Sequence, residues 1–190
     1  MSGRTFAIGL GLIVTLAAGV TAIAQDSVGL AQWEKVYAVF SHPRCVNCHV
    51  EDSSPRWSGP HYGETRIHAF AVGRGEDGFG NAGQRCTTCH FETNSPKLHG
   101  PPGAPQWHLA PAEMVWFGKS SAEICAQISD PERNGGKTLM EVADHVRDDA
   151  LVGWGWKPGP GREPAPGSAE ETYRAIEAWI AGGAPCPNAD

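Results

Sequence analysis

Two pentapeptides of the form Cys-x-x-Cys-His contain the most specific chemistry in this sequence. They occupy residues 45–49 (CVNCH) and 86–90 (CTTCH). Two thiols at this spacing can bond to the two vinyl groups on one edge of a haem, and the adjacent histidine then ligates the iron. The sequence therefore predicts two covalently bound haem c groups. The residues expected to bind them are Cys45, Cys48, His49, Cys86, Cys89 and His90.

Two other kinds of site use paired cysteines. A four-cysteine zinc ribbon would bind one tetrahedral ion through both pairs and leave the histidines without a role. A thioredoxin-like redox pair lies between a strand and a helix and needs no following histidine. The histidine that ends both motifs, together with an export signal, favours haem over either alternative.

The N-terminus has the pattern of a secretory signal peptide. Arg4 precedes an apolar run over residues 6–16, and the segment ends in Ala22-Ile23-Ala24. This small-residue ending predicts cleavage after residue 24, so that the mature chain begins at Gln25. Because bacteria attach haem c outside the cytoplasm, the expected location is the periplasm. The alternative is an uncleaved anchor, since residues 6–24 are nearly long enough to span a bilayer, and a membrane location is expected only in that case.

Residues 25–190 are the right size for one haem-binding domain, or for two small lobes over about 25–100 and 101–190. The 24 glycines and 15 prolines predict long coil segments. The formal net charge of −6 and the lack of a basic run argue against binding to nucleic acid or to an anionic membrane. A positively charged patch on a redox partner protein would suit this chain better.

Two cysteines, Cys125 and Cys186, are left after the motifs are assigned. In an exported protein such a pair most simply forms a disulfide, here closing a loop of about 60 residues. The alternative is that Cys125 serves as a thiolate ligand of a haem iron.

Helix caps and apolar periodicity predict a mainly α fold with long coil and few or no strands. The first helix is expected from about Ser27 to Phe40, with Asp26 or Ser27 as N-cap, and leads into the first motif. Three further helices are expected to begin at the Ser/Thr-x-x-Glu sequences of residues 120–123, 138–141 and 168–171. A helix, a Cys-x-x-Cys-His motif and a C-terminal amphipathic helix loosely resemble the class I cytochrome c plan.

Each iron needs a sixth ligand on its distal face, and the sequence offers several. His68 lies between the motifs, ahead of a glycine-rich run, so it is expected to reach a haem. His145 has Val142 one turn away, which is expected to point it inward. The rivals are His108 and Met114, which share a coil of the kind that often presents this ligand. Arg44, Arg147 and Arg162 are candidates for pairing with haem propionates, or are ordinary surface arginines.

Three longer stretches resemble one group of proteins: residues 42–49 (HPRCVNCH), 102–107 (PGAPQW) and 152–162 (VGWGWKPGPGR). They are similar to small exported cytochromes named as isoquinoline 1-oxidoreductase subunits. The resemblance spans most of the mature chain. It implies a redox partner that is an exported molybdenum hydroxylase. No stretch resembles the molybdopterin or iron–sulfur elements of such enzymes, so any hydroxylation would belong to another chain.

The sequence therefore predicts a periplasmic dihaem electron-transfer protein, not an enzyme by itself. It would accept electrons from a dehydrogenase or molybdenum hydroxylase and pass them to the respiratory chain. The alternatives are a small dihaem redox enzyme, such as a peroxidase or sulfur-compound dehydrogenase, and a haem-based sensor. Both would require an iron with an open or displaceable position.

Overall fold

The structure is a computed structural model that describes residues 11–59 and 62–189, with side chains from residue 26 onward. The first ten residues of the expected signal peptide lie outside this range. The helices are α1 (Gly11–Phe40), α2 (Pro43–Val46), α3 (Ser121–Ile128), α4 (Leu139–Asp148), α5 (Ala150–Gly153) and α6 (Ala169–Ala181). The four strands are β1 (Arg56–Trp57), β2 (Arg66–Ile67), β3 (Gly80–Asn81) and β4 (Gln84–Arg85).

Helix α1 begins well before the expected N-cap. The prediction that Asp26 or Ser27 opens this helix is wrong, because both residues lie inside a continuous helix that starts at Gly11. Residues 11–25 include four alanines and two leucines, which favour a helix, and no proline interrupts the run. Among the residues that the structure describes, no helix combines the length and hydropathy needed to span a bilayer.

Helices α3 and α4 begin at the capping sequences found in the sequence. At α3, the backbone N–H of Glu123 donates to Ser120 Oγ (3.3 Å), and the N–H of Ser120 donates to a carboxylate oxygen of Glu123 (2.8 Å). Thr138 and Glu141 make the same reciprocal pair at α4. At α6, the Ser168 hydroxyl accepts from the N–H of Glu171 (3.1 Å). These bonds satisfy N–H groups that a helix leaves unpaired in its first turn.

Loss of the α4 cap gives the first testable prediction. Thr138→Ala removes the hydroxyl that accepts from Glu141, so it is expected to lower the free energy of unfolding by about 1 kcal/mol. Urea denaturation followed by circular dichroism measures this change. Thr65→Ala, at an exposed coil position, is the control and should be nearly neutral. Equal stability of the two variants would contradict the capping role.

The main core lies between α1 and α6. Trp33 and Trp179 are both fully buried, with ring centroids 5.2 Å apart, and Ile176 packs in the same cluster. Helix α4 adds Ala143 and Val146 to this cluster. Residues before and after position 100 therefore contribute to one core, which crosses the boundary between the two lobes that the sequence suggested.

Cys125 and Cys186, the two cysteines outside the motifs, form a disulfide. Their Cα atoms are 5.6 Å apart, and 61 positions separate them in the chain. The bond fastens the C-terminal tail to α3, where Cys125 is fully buried. Because both sulfur atoms are used in this bond, Cys125 is not a free thiolate in the structure.

The chain between the first motif and α3 is mostly coil. The strands among its described residues form two short antiparallel pairs, β1 with β2 and β3 with β4. Gly80 has φ +99°, and a Cβ there would lie 2.5 Å from the carbonyl oxygen of Gln84. Glycine is therefore required at this position of β3. The partner strand β4 leads directly into the second motif.

Candidate functional site

The first motif begins one turn after α1 and is held by α2. His42 caps α2, because its Nδ1 accepts from the backbone N–H of Arg44 (3.2 Å), and Pro43 occupies the first turn. Burial raises the pKa of Cys45 to about 12 and that of Cys48 to about 11. Both thiols are therefore protonated at neutral pH. A thioredoxin-like redox pair needs a thiol with a lowered pKa, so this environment argues against that alternative.

His49 is fixed by two contacts. Its Nδ1 lies 3.2 Å from the carbonyl oxygen of Met114, and its ring is parallel to the Trp116 indole with centroids 3.6 Å apart. Trp116 stacks in turn on Phe40 at the end of α1 (4.6 Å). If Nδ1 carries the proton and donates to the carbonyl, Nε2 is the nitrogen available to a metal. Burial lowers the pKa of His49 to about 3, so the ring is neutral at physiological pH.

The second motif repeats this arrangement with different partners. Residues Cys86–Thr88 form a 3-10 turn, and Nδ1 of His90 lies 2.9 Å from the carbonyl oxygen of Pro102. The ring stacks on Trp107, with centroids 4.5 Å apart and planes 4° from parallel. Burial, the main cause, lowers the pKa of His90. In both motifs, then, a backbone carbonyl and a tryptophan hold a neutral imidazole with Nε2 available.

His68 lies beside the histidine of the second motif. Its ring centroid lies 5.9 Å from that of His90, with the planes at 61°. Nδ1 of His68 is also engaged by a backbone carbonyl, that of Ala69 (2.8 Å), which leaves its Nε2 available. Two imidazoles that bind one metal ion from opposite sides have ring centroids about 6 Å apart. This distance is the sum of two metal–nitrogen bonds of about 2 Å and the two ring radii. The observed spacing has the same size.

His145 is less buried than the sequence predicted. Its side chain is 43% exposed, and its Nδ1 lies 3.7 Å from a carboxylate oxygen of Asp149. The expectation that it points inward is therefore wrong: Val142, Ala143 and Val146 form the buried face of α4, and His145 lies at the edge of that face.

Met114 and His108 occupy other positions. The carbonyl of Met114 meets Nδ1 of His49, so its backbone lies at the edge of the ring that faces away from Nε2. This makes Met114 a weaker candidate for the opposite ligand of the same iron. His108 stacks on Phe79 (4.7 Å), and its Nδ1 contacts the carbonyl oxygen of Gln106 (2.5 Å).

The coil around the second motif has almost no protein core. From Glu51 to Pro102, the only buried residues that the structure describes are Gly78 and Gly80. Large apolar side chains in this segment are exposed: Ile67 by 60%, Phe70 by 80%, Phe91 by 67% and Leu98 by 70%. Burying a side chain of this size stabilises a fold by about 1.5–3 kcal/mol. A flat apolar group attached at Cys86 and Cys89 would supply the missing core, so these residues fit a haem.

The zinc-ribbon alternative requires the four motif cysteines to converge on one ion. Among the described residues, no group of three or more His, Cys, Asp or Glu side chains is arranged to hold a metal ion. The paired cysteines therefore do not form the tetrahedral set of a zinc ribbon. A haem iron differs, because it needs only axial ligands from the protein.

Comparison with known proteins gives no family assignment. No family model matches the chain, and no curated protein or solved structure has significant similarity to it. The two motifs and the contacts around them are therefore the observations from which a function is inferred.

Proposed function

We propose that this chain is an exported dihaem c-type cytochrome that transfers electrons. One haem is bound through Cys45, Cys48 and His49, and the other through Cys86, Cys89 and His90. The observation that carries the proposal is the repeated arrangement of the motif histidines, each held on a carbonyl and a tryptophan with Nε2 available. When bound, the two haems supply reversible one-electron redox chemistry.

The residues of the chain then have three roles. The carbonyls of Met114 and Pro102 fix the proton of each imidazole on Nδ1, so that each ring is ready to bind iron. Trp116 and Trp107 prevent the rings from turning and exclude water from one face of each. The exposed apolar side chains between residues 67 and 98 cover the second haem.

We assign His68 as the distal ligand of the second haem and His145 as that of the first. The spacing of 5.9 Å between His68 and His90 supports the first assignment. The second keeps the expectation from the sequence and requires the His145 side chain to leave Asp149. With two histidines on each iron, both haems would be six-coordinate and low-spin.

Changing the distal ligand tests these assignments. His68→Met is expected to raise the reduction potential of one haem and leave the other unchanged, because methionine ligation favours the reduced iron. A redox titration followed by visible absorbance measures both potentials. His108→Met is the matched control and should leave both potentials unchanged. If His68→Met behaves like this control, His68 is not a ligand.

The partners follow from charge and from the resemblance. A net charge of −6 suits docking to a positively charged patch on a redox partner protein. The resemblance to isoquinoline 1-oxidoreductase subunits suggests an exported molybdenum hydroxylase as the electron donor. An acceptor in the respiratory chain would complete the path. The signal-like N-terminus supports the periplasm as the location of these reactions.

One observation favours the second candidate, a small redox enzyme. His145 is 43% exposed and paired with Asp149, so it is weakly positioned for a permanent ligand of the first iron. An open position there would allow a substrate to bind. Carbon monoxide distinguishes the two functions: the reduced electron-transfer protein should not bind it, whereas an open iron should bind it at once and shift the Soret band.

A further inference from the structure

Two arginines near the motifs lack a carboxylate partner. Arg44 is only 8% exposed; its Nη2 donates to the carbonyl of Ser58 (3.0 Å), and its Nε is buried with no hydrogen-bond partner. Arg162 is half-buried and donates from Nη2 to the carbonyl of Gly100 (2.5 Å). Neither arginine takes part in an ion pair among the described residues.

Tyr62 connects the two arginines. Its hydroxyl is also buried without a partner. A Cβ built at Gly59 would lie 2.9 Å from Arg44 Nη2 and 3.2 Å from Cδ2 of Tyr62, so the guanidinium and the phenol ring meet at this glycine. Tyr62 also packs edge-on against His99, with ring centroids 6.2 Å apart. His99 in turn contacts Gly161, the neighbour of Arg162.

This group of three side chains combines positive charge with two buried polar atoms that have no partner, Nε of Arg44 and the hydroxyl of Tyr62. The Trp154 ring, 5.8 Å from Arg44 Cζ, covers the Arg44 guanidinium. Burial and, to a smaller extent, the nearby charge of Arg162 lower the pKa of Arg44. Arg147 differs from these two arginines, because it forms ion pairs with both Asp144 and Asp148. A buried guanidinium is costly without an anion, and its planar fork fits an oxyanion.

We propose that Arg44, Tyr62 and Arg162 form a binding site for an oxyanion of the carboxylate or phosphate class. The anion accepts from Nε of Arg44, from the Tyr62 hydroxyl and from the guanidinium of Arg162. It comes either from a haem propionate or from a free anion in solution. The first source rests on the proposed function, and the second does not.

The test uses the purified full chain and three variants. Arg162→Gln and Tyr62→Phe remove one donor each, and neither residue belongs to a motif. Arg174→Gln is the control, because Arg174 is exposed and paired with Glu170 and Glu177. Haem content, the two reduction potentials and the melting temperature at increasing inorganic phosphate are measured for each protein.

If a propionate fills the site, Arg162→Gln keeps both haems but lowers one reduction potential, because a positive charge that favoured the reduced state is gone. Tyr62→Phe shifts the same potential. If a free anion fills it, phosphate raises the melting temperature of the wild type, and this rise is lost in Arg162→Gln. If Arg162→Gln and Tyr62→Phe both behave like Arg174→Gln in every measurement, the proposed anion site is wrong. A chain without haem would contradict the proposed function, and the phosphate series would then decide about the site alone.

Discussion

Replacing both cysteines of the second motif, Cys86→Ala with Cys89→Ala, should reduce the haem content from two per chain to one. Without the thiols no thioether bonds can form, and His90 alone does not retain a haem c through purification. Haem absorbance per chain and the mass of the intact chain measure the loss. The main core should stay folded, because Cys86 and Cys89 lie outside it, whereas the coil around the second motif should lose order with its haem.

The matched control keeps both thiols and changes the residues between them. Thr87→Ala with Thr88→Ala alters two exposed side chains of the same motif and should keep two haems. Replacing the two cysteines of the first motif, Cys45 and Cys48, should lower the stability more, because Cys45 packs against the main core. An unchanged haem content after loss of Cys86 and Cys89 would rule out the second attachment site.

Loss of the disulfide is the second change with a large expected effect. Cys125→Ala with Cys186→Ser should lower the free energy of unfolding by about 4 kcal/mol, given the long loop that the bond closes. The unfolded chain gains freedom, and the C-terminal tail loses its covalent link to α3. Guanidinium denaturation of the oxidised wild type and of the variant gives the difference.

Reduction of the wild type is an independent check on that value. With a reductant present, the wild type should approach the stability of the double variant, whereas the variant itself should not respond. A difference below about 1 kcal/mol between the oxidised wild type and the variant would show that the bond contributes little beyond native packing.

Much of the helical structure could be predicted from the sequence because its signals are local. Ser120 and Thr138 lie three residues before a glutamate, and each opens a helix at the next residue. The C-terminal helix likewise begins directly after Ser168, the first residue of its Ser-x-x-Glu sequence. The start of α1 was predicted wrongly, because Asp and Ser can lie inside a helix as well as at its N-cap. Here the helix already includes the residues before Asp26.

The site was predicted less completely because its contacts are distant in the chain. The carbonyl of Met114 holds His49 across 65 positions, and a backbone acceptor has no sequence pattern. The sequence indicated the side chain of Met114 as a candidate iron ligand, whereas it is the backbone carbonyl of Met114 that contacts His49. The sequence did not predict a role for Tyr62 either. Its hydroxyl is buried without a partner, and burial of this kind depends on the fold.

His145 shows how a correct local pattern can still mislead. Val142 is one turn away, and both valines of this helix are buried. The pattern does not fix where the edge of the buried face falls, and His145 lies on that edge beside Asp149. The contact with Asp149 would therefore have to break before His145 could serve as the proposed ligand.

The measurement that tests the central claim most directly is the haem content and spin state of the full chain, purified from a host that attaches haem c. Absorbance of the reduced protein gives haem per chain, and electron paramagnetic resonance of the oxidised protein gives the spin state. We predict two covalent haems per chain, both low-spin. A chain that carries no covalent haem would contradict the account, and one high-spin haem would contradict electron transfer as the function of that site.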